Sequence, residues 1–439
     1  MFVSSFVLVS VITALVVATN MRKLRMESNV SPELRALRCI YIPVYGLMVA
    51  GDWLQGPFMY ALYEQYDYSH STIAALFVCG FGSSMTIGTF LGCYADKYGR
   101  KKFCILYAVL YILSCIMKHF KSLPVLVIGR ICGGTATSLL FSVFEAWIVA
   151  EHPSEVYLPD TLALQSTTSS IVAILAGLVG QATTDISPLK EVPIGICQGL
   201  CYYGGNIWPF DLACIVLIAG ALLAGVLFNE NYGDRQHLVD STPGIQALKL
   251  VVQDRNMLSL CFVQSLFEAA MYCFVLNWTP AMETDVKAAE DELGIIFSVF
   301  MVCCLCGSQL FILVTSYCQW NMESMILVAC TIAAITHAQV WANLQLNYVS
   351  FFVFELCVGF YIPVMASVKS SFIEEAHRGA IYNIFRIPLN AIVVSILLSG
   401  MSVTWSFGVS SCLLALAAVI QYYRRYFLPH DSLSYVSLE

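Results

Sequence analysis

The chain has 439 residues, 59% hydrophobic and 12% charged, with a net charge of −7. Ordinary soluble domains carry roughly 25% charged residues, so most of this chain cannot face water and a single soluble globular domain is excluded. A long bundle of membrane spans remains, since about 20 residues of helix cross the hydrocarbon, where helices and closed barrels alone satisfy the backbone.

In chain order the apolar runs predict spans near 1–19, 38–63, 71–94, 103–118, 123–150, 161–184, 208–228, 257–282, 290–316, 321–343, 347–372, 379–400 and 404–427, one leading helix followed by twelve. The leading run has the length of a signal-peptide core, but nothing basic precedes it, whereas Arg22, Lys23 and Arg25 follow. That order predicts an uncleaved anchor with its N-terminus outside.

Basic residues orient the rest. Arg35, Arg38, Lys97, Arg100, Lys101, Lys102, Arg235, Lys249, Arg255, Arg378, Arg424 and Arg425 join the first three on the inner side, against Lys118, Lys121, Lys190 and Lys287 outside. The positive-inside rule fixes the topology on that contrast and ignores the net charge. Of the two glycosylation sequons, Asn29 then falls inside and Asn277 within the outer end of a span.

The longest polar stretch follows six of the twelve core spans. The predicted organisation is an N-terminal helix and linker (1–37), a six-helix half (38–228), a central cytoplasmic loop (229–256), a second six-helix half (257–427) and a cytoplasmic tail (428–439). GRICGG (129–134) opens the fourth core span and FELCVG (354–359) the tenth, and each runs on to a histidine at the same offset, His152 and His377. Gly134 thus matches Gly359, and Arg130 faces Glu355, as in a transporter built from parallel repeats with its site at the midplane.

Between the second and third core spans lies GCYADKYGRKK (92–102). With two halves, twelve core spans and this loop, the chain resembles the major facilitator superfamily. Gly92, Asp96, Gly99, Arg100 and Lys101 stand at its cytoplasmic loop motif, and Arg130 with Gly134 at its Arg-x-x-x-Gly element. The resemblance implies that Asp96 and Arg100 latch an inward gate. The matching loop of the second half, Tyr317 to Met322, has lost its charges, and GLVGQ (177–181) lacks the Gly-Pro element of drug antiporters.

Seven strings in order, GDWLQGPFMYALYE (51–64), FGSSMTIGT (81–89), GGTATSLLFSVFEAWIVAEH (133–152), QSLFEAAMY (264–272), WTPA (278–281), FELCVG (354–359) and FRIPLN (385–390), resemble the eukaryotic molybdate-anion transporters of that superfamily. The resemblance implies an all-α membrane protein, two six-helix halves plus one extra N-terminal helix, that takes up molybdate at the plasma membrane, with an endosomal membrane as the alternative. YVSL (435–438) fits a tyrosine-based sorting pattern.

The residues can be asked independently whether they suit an oxyanion. A charge in mid-span is costly and marks a functional hypothesis; here these are Asp52, Arg130, Glu145, Glu268, Glu355, Lys369 and Arg386. Arg386 shares a helical stripe with Asn383 and Asn390, one guanidinium fork and two amides, beside Pro388. The other reading pairs Arg386 with Glu268 or Glu355. Arg130 stands open between a second anion ligand and a structural or gating partner of Glu145 or Asp52.

Asp52, Gln55 and Tyr60 line the first core helix near Gly56-Pro57, and Gln264, Glu268 and Tyr272 recur along one face of the seventh. A carboxylate beside a dianion favours taking up a proton, so Glu268, with Asp52 and Glu355 as alternates, is the candidate coupling group and the proton a candidate partner. The other reading has Glu268 hydrogen-bonded to a neighbouring helix.

The 18 cysteines are scattered as small apolar packers, save Cys197 and Cys201, which share an outside loop and could pair. No spacing suggests a metal site, a cofactor loop, a nucleophile or a nucleic-acid stripe. Besides molybdate uptake, two readings stay open: transport of sulfate or an organic anion, and a non-transporting receptor on a carrier fold.

Overall fold

The computed structural model describes residues 2–24, 31–153, 157–192, 199–232, 243–285, 292–318, 320–342, 347–372 and 378–428. The chain divides into two compact units, one holding Leu24–Val239 with Met1–Val7 and Ala288–Met301, the other Asp240–Lys287 and Val302–Glu439 with Leu8–Lys23. Among the described residues ten helices are long and apolar enough to cross a membrane.

After α1 (Phe2–Leu24), the first unit contains α2 (Pro32–Trp53), α3 (Met59–Gln65), α4 (His70–Ser83), α5 (Thr89–Tyr98), α6 (Arg100–Met117), α7 (Leu123–Leu140), α8 (Val143–Glu151) and α9 (Leu158–Thr184). Strands β1 (Lys190–Glu191) and β2 (Tyr202–Tyr203) precede α10 (Trp208–Leu227). The chain goes on with α11 (Pro243–Gln253), α12 (Arg255–Asp285), α13 (Leu293–Leu313), α14 (Met322–Trp341), α15 (Asn347–Phe372), α16 (Arg378–Leu398) and α17 (Val403–Phe427), all in the second unit save the part of α13 up to Met301.

Local chemistry explains the breaks. Pro57 lacks an N–H, and the first core span parts into α2 and α3 around it, as the Gly56-Pro57 step predicts. The fourth core span, expected as one run over 123–150, breaks at Phe141 and Ser142; the Ser142 hydroxyl turns back to the Ser138 carbonyl at 2.8 Å. A π turn at Ser84–Gly88 joins α4 to α5, and another at Val314–Cys318 ends α13. The central loop, read as a linker, holds the short helix α11.

Lipid is as apolar as leucine, so packing between spans rests on close backbone approach at small residues. A Cβ on Gly134 would collide with the Gly80 carbonyl and the Ser83 hydroxyl, which seats α7 directly on α4. A Cβ on Gly359 would collide with the Cys304 carbonyl, seating α15 on α13 in the same way. The two glycines that the sequence aligns therefore do one job in each unit. The first unit's core stacks Trp147 on Phe228, ring centroids 3.9 Å apart, with Tyr41 beside them. In the second, Phe267 stacks on Tyr361 at 3.8 Å, and His337 sits among Phe274, Phe354 and Phe407. Asn277 is 2% exposed and donates to the Cys273 carbonyl and the Ser406 hydroxyl, so no glycan fits there.

The loop motif is held by the end of the sixth core span. Gly99 takes φ +116°, a left-handed conformation suited to glycine, and a side chain there would strike the Glu230 carboxylate. Glu230 accepts from the Lys101 amide at 2.9 Å, capping the first turn of α6, where a negative charge suits the helix dipole. Arg100 donates to the Ala146 carbonyl at 3.0 Å, and Asn231 to the Trp147 carbonyl and Glu151. The Asp96 side chain, and with it the expected Asp96–Arg100 latch, lies outside the described residues, as do Asn29, Cys197 and the YVSL tail.

The β1–β2 hairpin packs on the α6–α7 turn. Tyr202 donates its amide to the His119 carbonyl, Lys121 donates to the Leu200 carbonyl, and the Tyr66 ring lies 5.2 Å from Tyr202. His119 Nδ1 donates to the Tyr202 carbonyl at 2.9 Å and Nε2 to Asp211 at 2.8 Å. Two acceptors call for a proton on both ring nitrogens. Burial opposes that charge, but the Asp211 hydrogen bond and its charge outweigh it, and His119 titrates above its ordinary value. A raised folded value stabilises fully below the unfolded pKa and is lost as pH rises through the folded one. Amide exchange at Tyr202 is therefore expected to accelerate as pH climbs above about 6.5, beyond the intrinsic base dependence, and His119→Gln should abolish that extra acceleration.

Candidate functional site

In the second unit three charged helices converge. Lys369 on α15 and Arg386 on α16 both act electrostatically on Glu268 of α12, and Gln264 stands one turn earlier on the same face. The Lys369 ammonium stands 4.3 Å from the centroid of the Tyr382 ring. Tyr361, its hydroxyl buried with no partner among the described residues, lies within the field of Glu268. Gln264 likewise keeps an unbonded amide oxygen. One carboxylate thus faces two cations, an excess of positive charge in a segment where each charge is expensive.

Sequence reasoning placed Arg386 and Glu268 here and left their relation open. The fold brings them together, with Lys369 as a third member whose role the sequence did not suggest. Asn390 is buried, at 7% exposure, one turn along α16, while the Asn383 side chain lies outside the described residues. Pro388 sits within a helix that stays continuous and frees the Ile384 carbonyl. Tyr272 is half-buried two turns beyond Gln264 on α12. Glu355 stands apart from these cations, buried beside Cys303 and Cys304.

In the first unit the expected residues are more dispersed. Asp52 accepts a hydrogen bond from Tyr111, whose hydroxyl also meets Thr137 at 2.8 Å. Gln55 donates to the Gly51 carbonyl of its own helix end at 2.7 Å, and Tyr60 meets His70 Nδ1 at 3.1 Å. Arg130 pairs with neither Asp52 nor Glu145 among the described residues. It donates from Nε to the Leu76 carbonyl at 3.2 Å, lies over the Phe77 ring and fills the space where Gly80 has no side chain.

Lys118, which the sequence assigns to an outside loop, is 0% exposed, and its ammonium has no hydrogen-bond partner among the described residues. The side chain turns back into the bundle, to 5.4 Å from the Tyr63 ring centroid. A cation–π contact returns about 0.5–2 kcal/mol, whereas burying an ion costs several kcal/mol even after relaxation. The desolvation term wins, so Lys118 is held at a net cost. No sequence signal distinguishes it from its neighbour Lys121, which pairs in the open with Asp67.

Just past the charge-free loop of the second half stands a buried ion pair. Glu323, the second residue of α14, is 1% exposed and binds Gln421 at 2.5 Å and Arg424 at 2.7 Å, both on α17. Among the described residues no group of His, Cys, Asp and Glu could hold a metal ion.

Comparison with known proteins places this bundle. Residues 1–362 match the family model described as sugar transporters with 12 transmembrane segments. A molybdate-anion transporter of Xenopus tropicalis is 30% identical over 375 residues, spanning 82% of this chain and 78% of that protein. One of Takifugu rubripes is 30% identical over 423 residues, spanning 89% and 86%. Among solved structures, the nucleoside transporter NupG superposes with a TM-score of 0.68 at 12% identity over 88% of this chain and 99% of its own. The xylose transporter XylE from E. coli gives 0.64 at 14% identity over 89% and 99%. With apolar helices, two units and these relatives in agreement, the chain belongs to the molybdate-anion transporter family of the major facilitator superfamily and is a multi-pass membrane transporter, not an enzyme.

Proposed function

We propose that the protein takes up molybdate at the plasma membrane by alternating access, coupled to protons. The observation that carries this reading is the α12–α15–α16 cluster, where Lys369 and Arg386 outnumber Glu268. A guanidinium, an ammonium and the Asn390 amide supply the donors a tetrahedral dianion needs, and the names of the relatives support molybdate as that dianion.

Coupling follows from charge arithmetic. Without substrate, Glu268 partly neutralises two cations. A dianion seated on those cations leaves Glu268 surplus and negative in a low-dielectric site, and a proton on its carboxyl restores neutrality. Each binding step then favours the other, and the linkage is reciprocal. Asp52, in the first unit, is held by Tyr111, and Glu355 lies beside thiols.

Uptake of labelled molybdate into liposomes containing the full chain tests the reading. Saturable flux that rises as outside pH falls is expected. Glu268→Gln imitates the protonated side chain and cannot release the proton, so it should exchange molybdate across the membrane but lose pH-driven accumulation. Binding without flux in the native protein would instead fit a receptor. Sulfate shares charge and shape with molybdate, and stronger competition by sulfate than by molybdate itself would reassign the substrate.

A further inference from the structure

We propose that Lys118, Arg130 and Tyr63 form a second oxyanion-binding pocket, lying wholly within the first unit and charge-matched to a tetrahedral dianion. The pocket rests on the oxyanion reading above and adds to it residues that the α12–α15–α16 cluster does not contain.

The Lys118 ammonium is fully buried and unbonded among the described residues, and so is the Tyr63 hydroxyl. Arg130 is near enough for its charge to act on both. Its guanidinium gives only Nε to a protein acceptor among the described residues, the Leu76 carbonyl. Two glycines let the cations come close to the backbone of α4 and α7: a Cβ on Gly129 would lie 3.5 Å from the Lys118 nitrogen, and one on Gly80 would press against the guanidinium.

Carboxylates that could have neutralised this pair are engaged elsewhere. Asp52 is held by Tyr111, Asp67 by Lys121 and Asp211 by His119, while Glu64 is exposed. Two like charges thus stand within each other's field, with the Tyr63 hydroxyl as a further donor and no carboxylate paired to either among the described residues, an arrangement that suits an incoming anion of charge −2. Arg130 is half-buried, whereas Lys118 and Tyr63 are fully buried. Tyr66 fixes the backbone of Lys118 by donating to its carbonyl at 2.7 Å, so the ammonium is aimed before any anion arrives.

Charge matching gives a test that a structural lysine would not pass. Molybdate and perrhenate are tetrahedral ions of similar size carrying two charges and one. Calorimetric titration of the purified full chain should show Lys118→Met weakening molybdate by roughly tenfold or more, the loss of a charged hydrogen-bond donor, while perrhenate changes far less. The same variant should melt at a higher temperature without anion, because an uncompensated buried charge is gone. Tyr63→Phe keeps the ring and loses only the hydroxyl; it should weaken molybdate severalfold and decides the matter if Lys118→Met does not fold. An unchanged preference for molybdate over perrhenate in Lys118→Met, or native affinity in Tyr63→Phe when the lysine variant cannot be made, overturns the pocket and leaves uptake standing. A native protein that binds neither ion overturns the pocket and the transport reading together.

Discussion

Arg386→Ala is expected to abolish molybdate uptake, and Arg386→Lys to raise the half-saturating concentration by roughly tenfold, at unchanged surface expression of the lysine variant. The two substitutions separate charge from shape. Lysine keeps the positive charge that balances Glu268 and preserves the electrostatics of the α12–α15–α16 cluster. It loses the planar fork, whose parallel N–H groups meet two oxygens of one anion, and an ammonium already stands nearby in Lys369. A second point charge cannot replace that geometry. Alanine removes the charge as well, leaving one cation against Glu268 and too little positive charge to hold a dianion. Uptake kinetics on membranes with matched protein content provide the measurement. If the lysine variant transports with native affinity, Arg386 serves as an ion-pair partner of Glu268 and the anion is held elsewhere.

Much of this was legible in the sequence because membrane physics limits the alternatives. A stretch of apolar residues about as long as the hydrocarbon is thick forms a helix, and the expected span at 347–372 coincides with α15, while Pro57 marks the break between α2 and α3. The Gly134–Gly359 correspondence was visible as a repeat, and its cause, close approach to α4 and α13, appears only when the helices are packed. The charges at span ends were the hardest to read. Lys118 and Lys121 are three residues apart beside one turn, yet one points into the protein and the other pairs with Asp67 in the open. Arg424 and Arg425 both counted toward the inner tail, but Arg424 is fully buried. Which way a side chain turns at a helix end depends on residues far along the chain: Glu323 is 101 positions from Arg424. Local pattern carries no trace of that. Periodicity did place Gln264 and Glu268 on one face of α12, because residues one turn apart are neighbours on any helix. It could not say that α15 would bring Lys369 to the same place.

The Glu323–Arg424 pair should dominate the stability of the second unit. Arg424→Met is expected to lower it by about 3–5 kcal/mol, the usual loss when one partner of a buried pair is removed. Glu323 would keep only the Gln421 amide, bonded at 2.5 Å, and its other carboxylate oxygen already has no partner among the described residues. Glu323→Leu alone should be as damaging for the opposite reason, since it takes the carboxylate from a guanidinium that is 0% exposed and whose plane rests on Phe372 at 4.8 Å. The double variant, Glu323→Leu with Arg424→Met, removes both charges and fills the space with apolar atoms. It should recover most of the loss, because a buried pair and an apolar pair of similar volume are often close in stability. Thermal melting of the detergent-solubilised full chain gives the cycle. Recovery in the double variant with native molybdate uptake would mean that the pair only holds α14 to α17. Recovery of melting without recovery of uptake would mean that the charges are needed during transport, since an apolar pair cannot part into water as an ion pair can. Additive losses in the double variant would show that the two residues are not coupled and that the 2.7 Å contact contributes nothing.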